Sequence, residues 1–428
     1  QGQPVGPPAM PLPGLPASLV PLLRRCSGGD RLALVGGAVR DLLLHRQHND
    51  PWRGVPDLDL VVEAAGSAPA LPPAHALARR LRAALGPAGV PVCQEHGAFG
   101  TVELELRLPE GPLLLDVATA RRETYPRPGD NPRVSEGRLD DDLARRDFSI
   151  NAMALLIGDG AEASSGDGVL LDPHGGQADL QRRELRLLHS RSLSDDPTRI
   201  VRAARYAARL GFDLAPASQE QLATTLAAWP WPWRPGDPPE QAPPALGTRL
   251  RMELELLLER ENWRLALAAL QRWGALPLLD PALQGDGRWR QRLAWGERLG
   301  LPRLATLLAG ATEPLALAAR LQLPGRQQRL LAGMAQLQQR LAAAPPVATA
   351  AAWTALLERP GPPPAAAALL LASGRGPRRP LLRWWLRWRH LGPATGAAEL
   401  MAAGLPAGPE LGQRLRQLRA ERLADERP

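Results

Sequence analysis

The sequence predicts an α+β protein, with a sheet domain in front and an all-helical region behind it. Three observations carry this. A short apolar run meets two glycines and restarts as a helix in LVGGAVRDLLL, residues 34–44. An alternating run, TVELELRL at 101–108, is followed by PEGP and a second apolar run, LLLDVA. Beyond about residue 180 the chain is a series of Leu, Ala and Arg runs broken by Pro and Gly, with no period-two pattern.

The elements follow in order. Residues 1–18 are rich in Pro and Gly and predict a disordered N-terminus. Leu32–Val35 predicts a strand, Gly36 and Gly37 break it, and Val39–Leu44 begins a helix. DLDLVVE, residues 57–63, predicts a second strand. Ala76–Leu85 has helical periodicity and Gly86 ends it. In TVELELRL, Val102, Leu104, Leu106 and Leu108 face one way, so this run and LLLDVA form a hairpin across PEGP. WPWPWRPGDPPEQAPP, residues 229–244, suits neither a helix nor a central strand, because Pro lacks the donor both need. It predicts a surface insertion.

Composition narrows the function. A chain of 428 residues is too long for one core. Its net charge of +8 favours an anionic partner such as nucleic acid. Every cation is arginine, so a biased genome could produce the same charge without a ligand. Cys26 and Cys93 lie far apart and suggest neither a disulfide framework nor a zinc site. Together with the lack of a secretory signal, they predict a reducing cytoplasm. The longest apolar runs, such as residues 365–372, are too short to span a bilayer. No protein partner is implied.

The chemistry gathers on DLDLVV. In a strand, Asp57 and Asp59 share one face while Leu58, Leu60 and Val62 pack on the other. Adjacent carboxylates repel unless a cation lies between them, and Mg²⁺ takes oxygen ligands together with substrate phosphates. Asp116, among apolar neighbours on the returning hairpin strand, would be costly to bury alone and would complete such a site. A bare D-x-D pair also fits two solvated acids on an edge strand. The surrounding motifs decide between these readings.

A strand, two glycines and a helix followed by a D-x-D strand resembles the polymerase-β nucleotidyltransferase superfamily. The finer resemblance, over most of the chain, is to class II tRNA nucleotidyltransferases and bacterial poly(A) polymerases. GGAVRD with DLD resembles their first motif; the resemblance implies that Gly36, Gly37 and Arg40 hold a triphosphate and that Asp57 and Asp59 bind the metal, Mg²⁺, in a site that Asp116 of the hairpin would complete. RRDFSINAMA, residues 145–154, resembles the ribose-recognising motif, with Arg146, Asp147 and Asn151 in it. DPHGGQADL at 172–180 resembles the hinge motif, and SDDPTRIVRAARYAARLGF at 194–212 the nucleotide-selecting motif. GTRLRMELELLL at 247–258 resembles the fifth motif, and TGAAELMAAGLPAGPELGQRL the tRNA-holding tail, with Gly408 in it. The chain departs from the family pattern in extra residues around HNDPWRGV, in Asp195 where Glu is usual, and in the Pro/Trp stretch.

In the fourth motif, Asp196 before Pro197 reads as a helix cap, and Arg199 lies three residues on, on the same face. Arg202 and Arg205 continue that side as nucleotide-binding candidates. Arg offers fixed donors and Asp acceptors, so the pair could read the edge of a base, the role the resemblance implies. An exposed i,i+3 ion pair is the plainer reading. In LLRWWLRWRH, Arg383 and Arg387 alternate with Trp, a pattern that can contact RNA but more often packs.

The resemblance implies a five-stranded catalytic head at 19–156, a helical neck at 157–275 carrying the 229–244 insertion, and a helical body and tail at 276–428 that bind RNA. It implies addition of C and/or A to the tRNA 3′ end from CTP and ATP, with release of pyrophosphate. The rivals are a poly(A) polymerase, an enzyme adding only CC or only A, and an inactive RNA-binding protein. Residues 119–143 influence that choice in the family.

Overall fold

The structure is a computed structural model that describes residues 9–11, 15–54, 57–66, 69–97, 100–157 and 167–428. The chain forms two compact units, Gln1–Pro232 and Trp233–Pro428.

The first unit is built on a sheet of eight strands among the described residues. They are β1 (Ala9–Pro11), β2 (Arg31–Val35), β3 (Leu58–Glu63), β4 (Val92–His96), β5 (Thr101–Leu108), β6 (Gly111–Thr119), β9 (Ala154–Ile157) and β10 (Asp167–Leu171). A separate hairpin of β7 (Arg121–Thr124) and β8 (Arg133–Glu136) lies between β6 and β9 in the chain. The large sheet has the order β1-β10-β9-β2-β3-β6-β5-β4. All its pairs are antiparallel except β3–β6.

The expected five strands are therefore too few, for physical reasons. β9 is buried along its whole length, so it shows no alternation. β4 is an edge strand with mostly exposed side chains, so it lacks an apolar face. The sheet also runs past residue 156, to Leu171. Most of the N-terminal segment expected to be disordered lies outside the described residues, but Ala9–Pro11 pairs with β10. Ser18 donates from its N–H and its hydroxyl to Glu110.

Register assigns the two faces. Leu34, Leu60, Leu104, Leu115 and Val117 fall on one face and are buried. Helices α1 (Leu19–Cys26) and α3 (Pro73–Gly89) pack together, with α3 against β3, β5 and β6. In α3, Gly86 takes φ +72 and kinks the helix before Pro87, where the sequence predicts an end. On the other face Ala33, Val35, Val61, Ala154 and Leu156 form a core with Leu139 and Leu143 of α4 (Leu139–Ala144). That face also carries Asp59 and Asp116. Helix α2 (Gly37–His48) follows β2, and α5 (Gly176–Arg182), α6 (Ser192–Asp195), α7 (Thr198–Leu210) and α8 (Pro216–Ala228) close the unit.

The Pro/Trp stretch contains the boundary between the units, and two of its three indoles are buried. Trp231 and Trp233 are both buried. Trp231 Nε1 donates to the Ser194 carbonyl in the first unit, and Trp233 Nε1 donates to the Pro238 carbonyl in the second.

The second unit is helical, without a strand among the described residues. The fifth sequence motif forms the helix Thr248–Arg260, burying Leu250, Leu254, Leu257 and Leu258 at helical spacing. The apolar helix Ala365–Ala372 packs against Gly325–Ala343, where the missing side chain of Gly333 admits Pro363 and Ala366. Arg320 is buried over the Trp233 ring and donates to the carbonyls of Leu278 and Leu279. Burial lowers its pKa to about 10. Among the described residues no helix is long and apolar enough to cross a membrane.

Candidate active site

The site starts at the end of β2. Val35 pairs with Asp59 across β2–β3, and Asp59 pairs with Asp116 across the parallel β3–β6 ladder. Cross-strand partners point to the same face, so Asp59 and Asp116 stand side by side. Glu103 pairs with Asp116 on the next strand and joins them. The alternation of TVELELRL already placed Glu103 on the polar side; only the hairpin register made it a neighbour of Asp116. β3 begins at Leu58, so Asp57 occupies an exposed bend just before the strand rather than its first position. Among the described residues no three His, Cys, Asp or Glu side chains converge closely enough to hold a metal ion.

The electrostatics show uncompensated negative charge. Partial burial raises the Asp59 pKa, Asp116 and Asp57 raise it further, and Arg146 opposes them. Asp116 is raised by burial, then by Glu103 and Asp57. A cavity of about 290 Å³ opens over these groups, lined by Asp59, Asp116, Glu103, His96, Arg145 and Arg146 among others. Hard oxygen donors that resist ionisation beside one another fit a divalent cation, which would relieve the repulsion.

Gly36 closes the turn above Asp59. It has φ +76, and a Cβ there would stand 3.3 Å from Asp59 Oδ2 and 3.9 Å from Arg146 Nη1. A side chain would be strained in that backbone region and would crowd the carboxylate. A Cβ on Gly37 would come within 3.2 Å of Arg40 Nη2.

Four expected nucleotide-binding residues form one hydrogen-bonded chain. Arg40 Nη1 donates to Asn151 Oδ1 at 2.9 Å, and Asn151 Nδ2 donates to Asp147 Oδ1 at 3.2 Å. Arg202 Nε donates to Asp147 Oδ2 at 2.8 Å. Arg40 is buried, with its guanidinium 5.2 Å from the centre of the Tyr206 ring. Burial works against the charge of Asp147, but Arg202, Asn151 and the Phe148 N–H together hold its pKa below the ordinary range. This chain joins α2, the turn after α4 and α7 into one frame.

Arg146 is aimed by a buried acid. Asp142, fully buried, accepts from Arg146 Nη2 at 3.0 Å, from Arg145 Nε at 3.3 Å and from the Arg121 N–H at 3.2 Å. The hinge motif is fastened to the same region. Ser149 Oγ donates to Asp179 of α5 at 2.5 Å, and a Cβ on Gly176 would lie 2.4 Å from the Ser149 carbonyl oxygen.

Asp196 and Arg199 sit differently from the exposed ion pair of the plainer reading. Both are buried. Asp196 Oδ1 accepts from the Thr198 N–H and hydroxyl, capping the start of α7 one residue ahead of Pro197. Arg199 Nη1 and Nη2 donate to the carbonyls of Ser192 and Arg145. Asp195 is also buried, which raises its pKa, with Arg191 the largest opposing influence. Arg205 lies half-buried on α7, on the turn after Arg202.

The weaker RNA-binding candidates lie in the second unit. Trp384 and Trp388 are buried, as the packing reading requires. Arg387 Nε and Nη2 donate to Glu426 at 2.7 Å each, and Arg383 Nη1 donates to the Arg427 carbonyl at 2.8 Å. Gly408, at φ +147, precedes the helix Pro409–Ala424. These arginines hold residues 426 and 427, just past the end of that helix, contacts that the interleaved Trp and Arg pattern did not reveal.

Comparison with known proteins agrees with this geometry. Residues 32–186 match the Poly A polymerase head domain family. The chain is 40% identical over 319 residues to a CC-adding tRNA nucleotidyltransferase of Deinococcus radiodurans, covering 73% of this chain and 72% of that one. It is 42% identical over 192 residues to an A-adding tRNA nucleotidyltransferase of Aquifex aeolicus, covering 45% of this chain and 20% of the relative. A solved CCA-adding enzyme in an apo form superposes with a TM-score of 0.67 at 24% identity, covering 96% of this chain and 93% of that chain. The fold is therefore shared over almost the whole length.

Proposed function

The chain belongs to the class II tRNA nucleotidyltransferase and poly(A) polymerase family, and from that membership we propose that it extends the 3′ end of tRNA with C and/or A from CTP and ATP. The observation that carries the reading is the Asp59–Asp116 pair directly beneath the Gly36 turn. It stands beside the frame formed by Arg40, Asn151, Asp147 and Arg202. Carboxylates for a cation and arginines for a triphosphate are thus neighbours on one face of the sheet.

Asp59 and Asp116, with Asp57 beside them, would hold Mg²⁺. When bound, the ion activates the attacking 3′-hydroxyl and neutralises the departing pyrophosphate. The protein's own groups orient the substrates. Gly36 leaves room for a phosphate against β3, and Gly37 and Arg40 border the same turn. Asp142 holds Arg146 toward Asp59, supplying positive charge where a triphosphate would bring negative charge. Asp147 and Asn151 keep Arg40 and Arg202 in fixed orientations. Asp196 and Arg199, at the head of α7, select the base, and Arg205 lies on the next turn. The second unit carries the body and tail that grip RNA.

Between complete CCA addition and partial addition, the long match to a CC-adding relative favours the transfer of C. The test supplies labelled CTP and ATP with tRNAs ending at the discriminator base, at C and at CC. Two C residues added to the first substrate, with no A, is the expected result. Extension to CCA on that substrate means a complete enzyme, and action only on the CC-ended tRNA means an A-adding one. Runs of A on unrelated RNAs would indicate a poly(A) polymerase. No incorporation on any substrate refutes the reading.

A further inference from the structure

Asp196 and Arg199 both hang from the single turn of α6. The Asp196 N–H donates to the Ser192 carbonyl at 3.1 Å, and Arg199 Nη1 donates to the same oxygen at 2.9 Å. The turn has only four residues, Ser192–Asp195. A helix that short has little stability of its own, and its last carbonyls find no partner inside it. The placing of Asp196 and Arg199 therefore depends on what anchors α6 from outside.

Two of the anchors come from α8 and the stretch that follows it. Gln221 of α8 grips the start of the turn: its Oε1 accepts from the Leu193 N–H at 3.4 Å, and its Nε2 donates to the His189 carbonyl at 2.9 Å. Trp231 grips the end, donating from Nε1 to the Ser194 carbonyl at 3.1 Å across 37 residues of chain. The Asp195 carbonyl, next along, accepts from the Gly129 N–H at 3.1 Å. Trp231 comes back to α6 because α8 ends at Trp229 in the left-handed region, with φ +44 and ψ +70. A bulky residue is strained in that conformation, and such strain persists only where the surroundings fix it. The Trp229 ring meets the Trp231 ring edge-on at 4.9 Å, and the Trp231 side chain is buried.

We propose that Trp231 and Gln221 are positioning residues for base choice: they clamp α6 and thereby fix Asp196 and Arg199 against the incoming base. The proposal rests on the preceding reading of Asp196 and Arg199 as the base-selecting pair. A buried indole N–H commonly takes a carbonyl partner for no reason beyond its own burial. Trp233 provides the comparison for that plainer role. It is equally buried, and it donates to the Pro238 carbonyl in the second unit rather than to α6.

The experiment measures kcat and KM for single incorporation of CTP and of UTP by the full chain, on tRNA lacking its 3′-terminal CCA. Trp231→Phe keeps an aromatic ring beside Trp229 and removes only the donor. It is expected to raise the KM for CTP and to lower the preference for CTP over UTP, each by about fivefold, the worth of one ordinary hydrogen bond. The kcat for CTP should stay near wild type, because the carboxylates on the sheet are untouched. Gln221→Met, which leaves all three tryptophans in place, should shift KM and preference in the same direction. Trp233→Phe should leave both unchanged. Wild-type KM and preference in Trp231→Phe would overturn the proposal, and so would an equal shift in Trp233→Phe, which would trace the effect to general loosening of the stretch. If Trp231→Phe yields no folded protein, Gln221→Met decides, and unchanged base choice in it overturns the clamp. Asp196→Ala, run alongside, separates the two failures: if it relaxes base choice and Trp231→Phe does not, the clamp alone is wrong, and if neither does, the base-selecting reading itself fails.

Discussion

Replacing Asp147 by Asn tests the frame of the proposed site. The amide is nearly isosteric, so its oxygen can still accept from Asn151 and from the Phe148 N–H. What it loses is both the charge and the acceptor facing Arg202 at 2.8 Å, because the amide NH2 then stands against the Arg202 Nε–H. Removing one partner of a buried ion pair costs about 3–5 kcal/mol. The Arg202 side chain is 39% exposed, and solvent screening reduces the expected cost to about 2 kcal/mol. For a folding unit of this size that is a fall of about 4–8 °C in Tm. The pH dependence gives a sharper check. The folded-state pKa of Asp147 lies below its ordinary value of 3.8. Its contribution is therefore fully present above the ordinary range and is lost as pH falls through 3.8 toward the folded value. Thermal unfolding of wild type and variant at a series of pH values should show a Tm gap at neutral pH that narrows in acid. The KM for CTP should rise in the variant, because Arg202 loses the carboxylate that fixes its orientation. Equal Tm values at neutral pH, or a gap that stays constant into acid, would refute the argument.

Asp59→Asn should abolish nucleotide incorporation and yet stabilise the metal-free protein. Directly opposed like charges on neighbouring strands cost about 0.2–1 kcal/mol. The Asp59 pKa is raised, so the carboxylate favours the fold below its ordinary pKa and loses that advantage as pH rises through the folded value. The variant should melt slightly higher than wild type in EDTA at neutral pH, and Mg²⁺ should raise the Tm of wild type more than that of the variant; an unchanged Mg²⁺ response would remove Asp59 from the metal site. Asp196→Ala and Arg199→Ala should relax the preference for CTP over UTP and GTP in single-nucleotide incorporation. A wild-type preference in both variants would limit these residues to holding α7 in place.

Much of the site was legible in the chain. The glycine turn, the acidic strand and the RRDFSIN segment each had a local chemical reason for its residues, and the hairpin of β5 and β6 followed from strict alternation. The elements that escaped detection lacked such a signal. β9 is apolar on both faces and could pass for a piece of helix, while β4 is an exposed edge without an apolar side. The start of β3 moved by one residue, enough to put Asp57 on a bend, where β2 on the other side has already ended at Val35 opposite Asp59. The Pro/Trp stretch is exposed over residues 234–238, as a surface insertion would be, but Trp231 and Trp233 are buried in their own units.

The sequence alone determined which residue types were available for metal and phosphate chemistry, and the order in which they occur. It could not determine their partners. Asp59 and Asp116 are separated by a helix and two strands in the chain, and they become neighbours only through the parallel register of β3 and β6. Asp147 could have been a ligand group or a structural one until α7 brought Arg202 within 2.8 Å of it. Arg383 and Arg387 have the composition of an RNA contact, and only the fold shows that they also bond residues 427 and 426 beyond the last helix. Local propensity acts over a few residues, whereas a side chain's charge state and role depend on groups brought near it from distant parts of the chain.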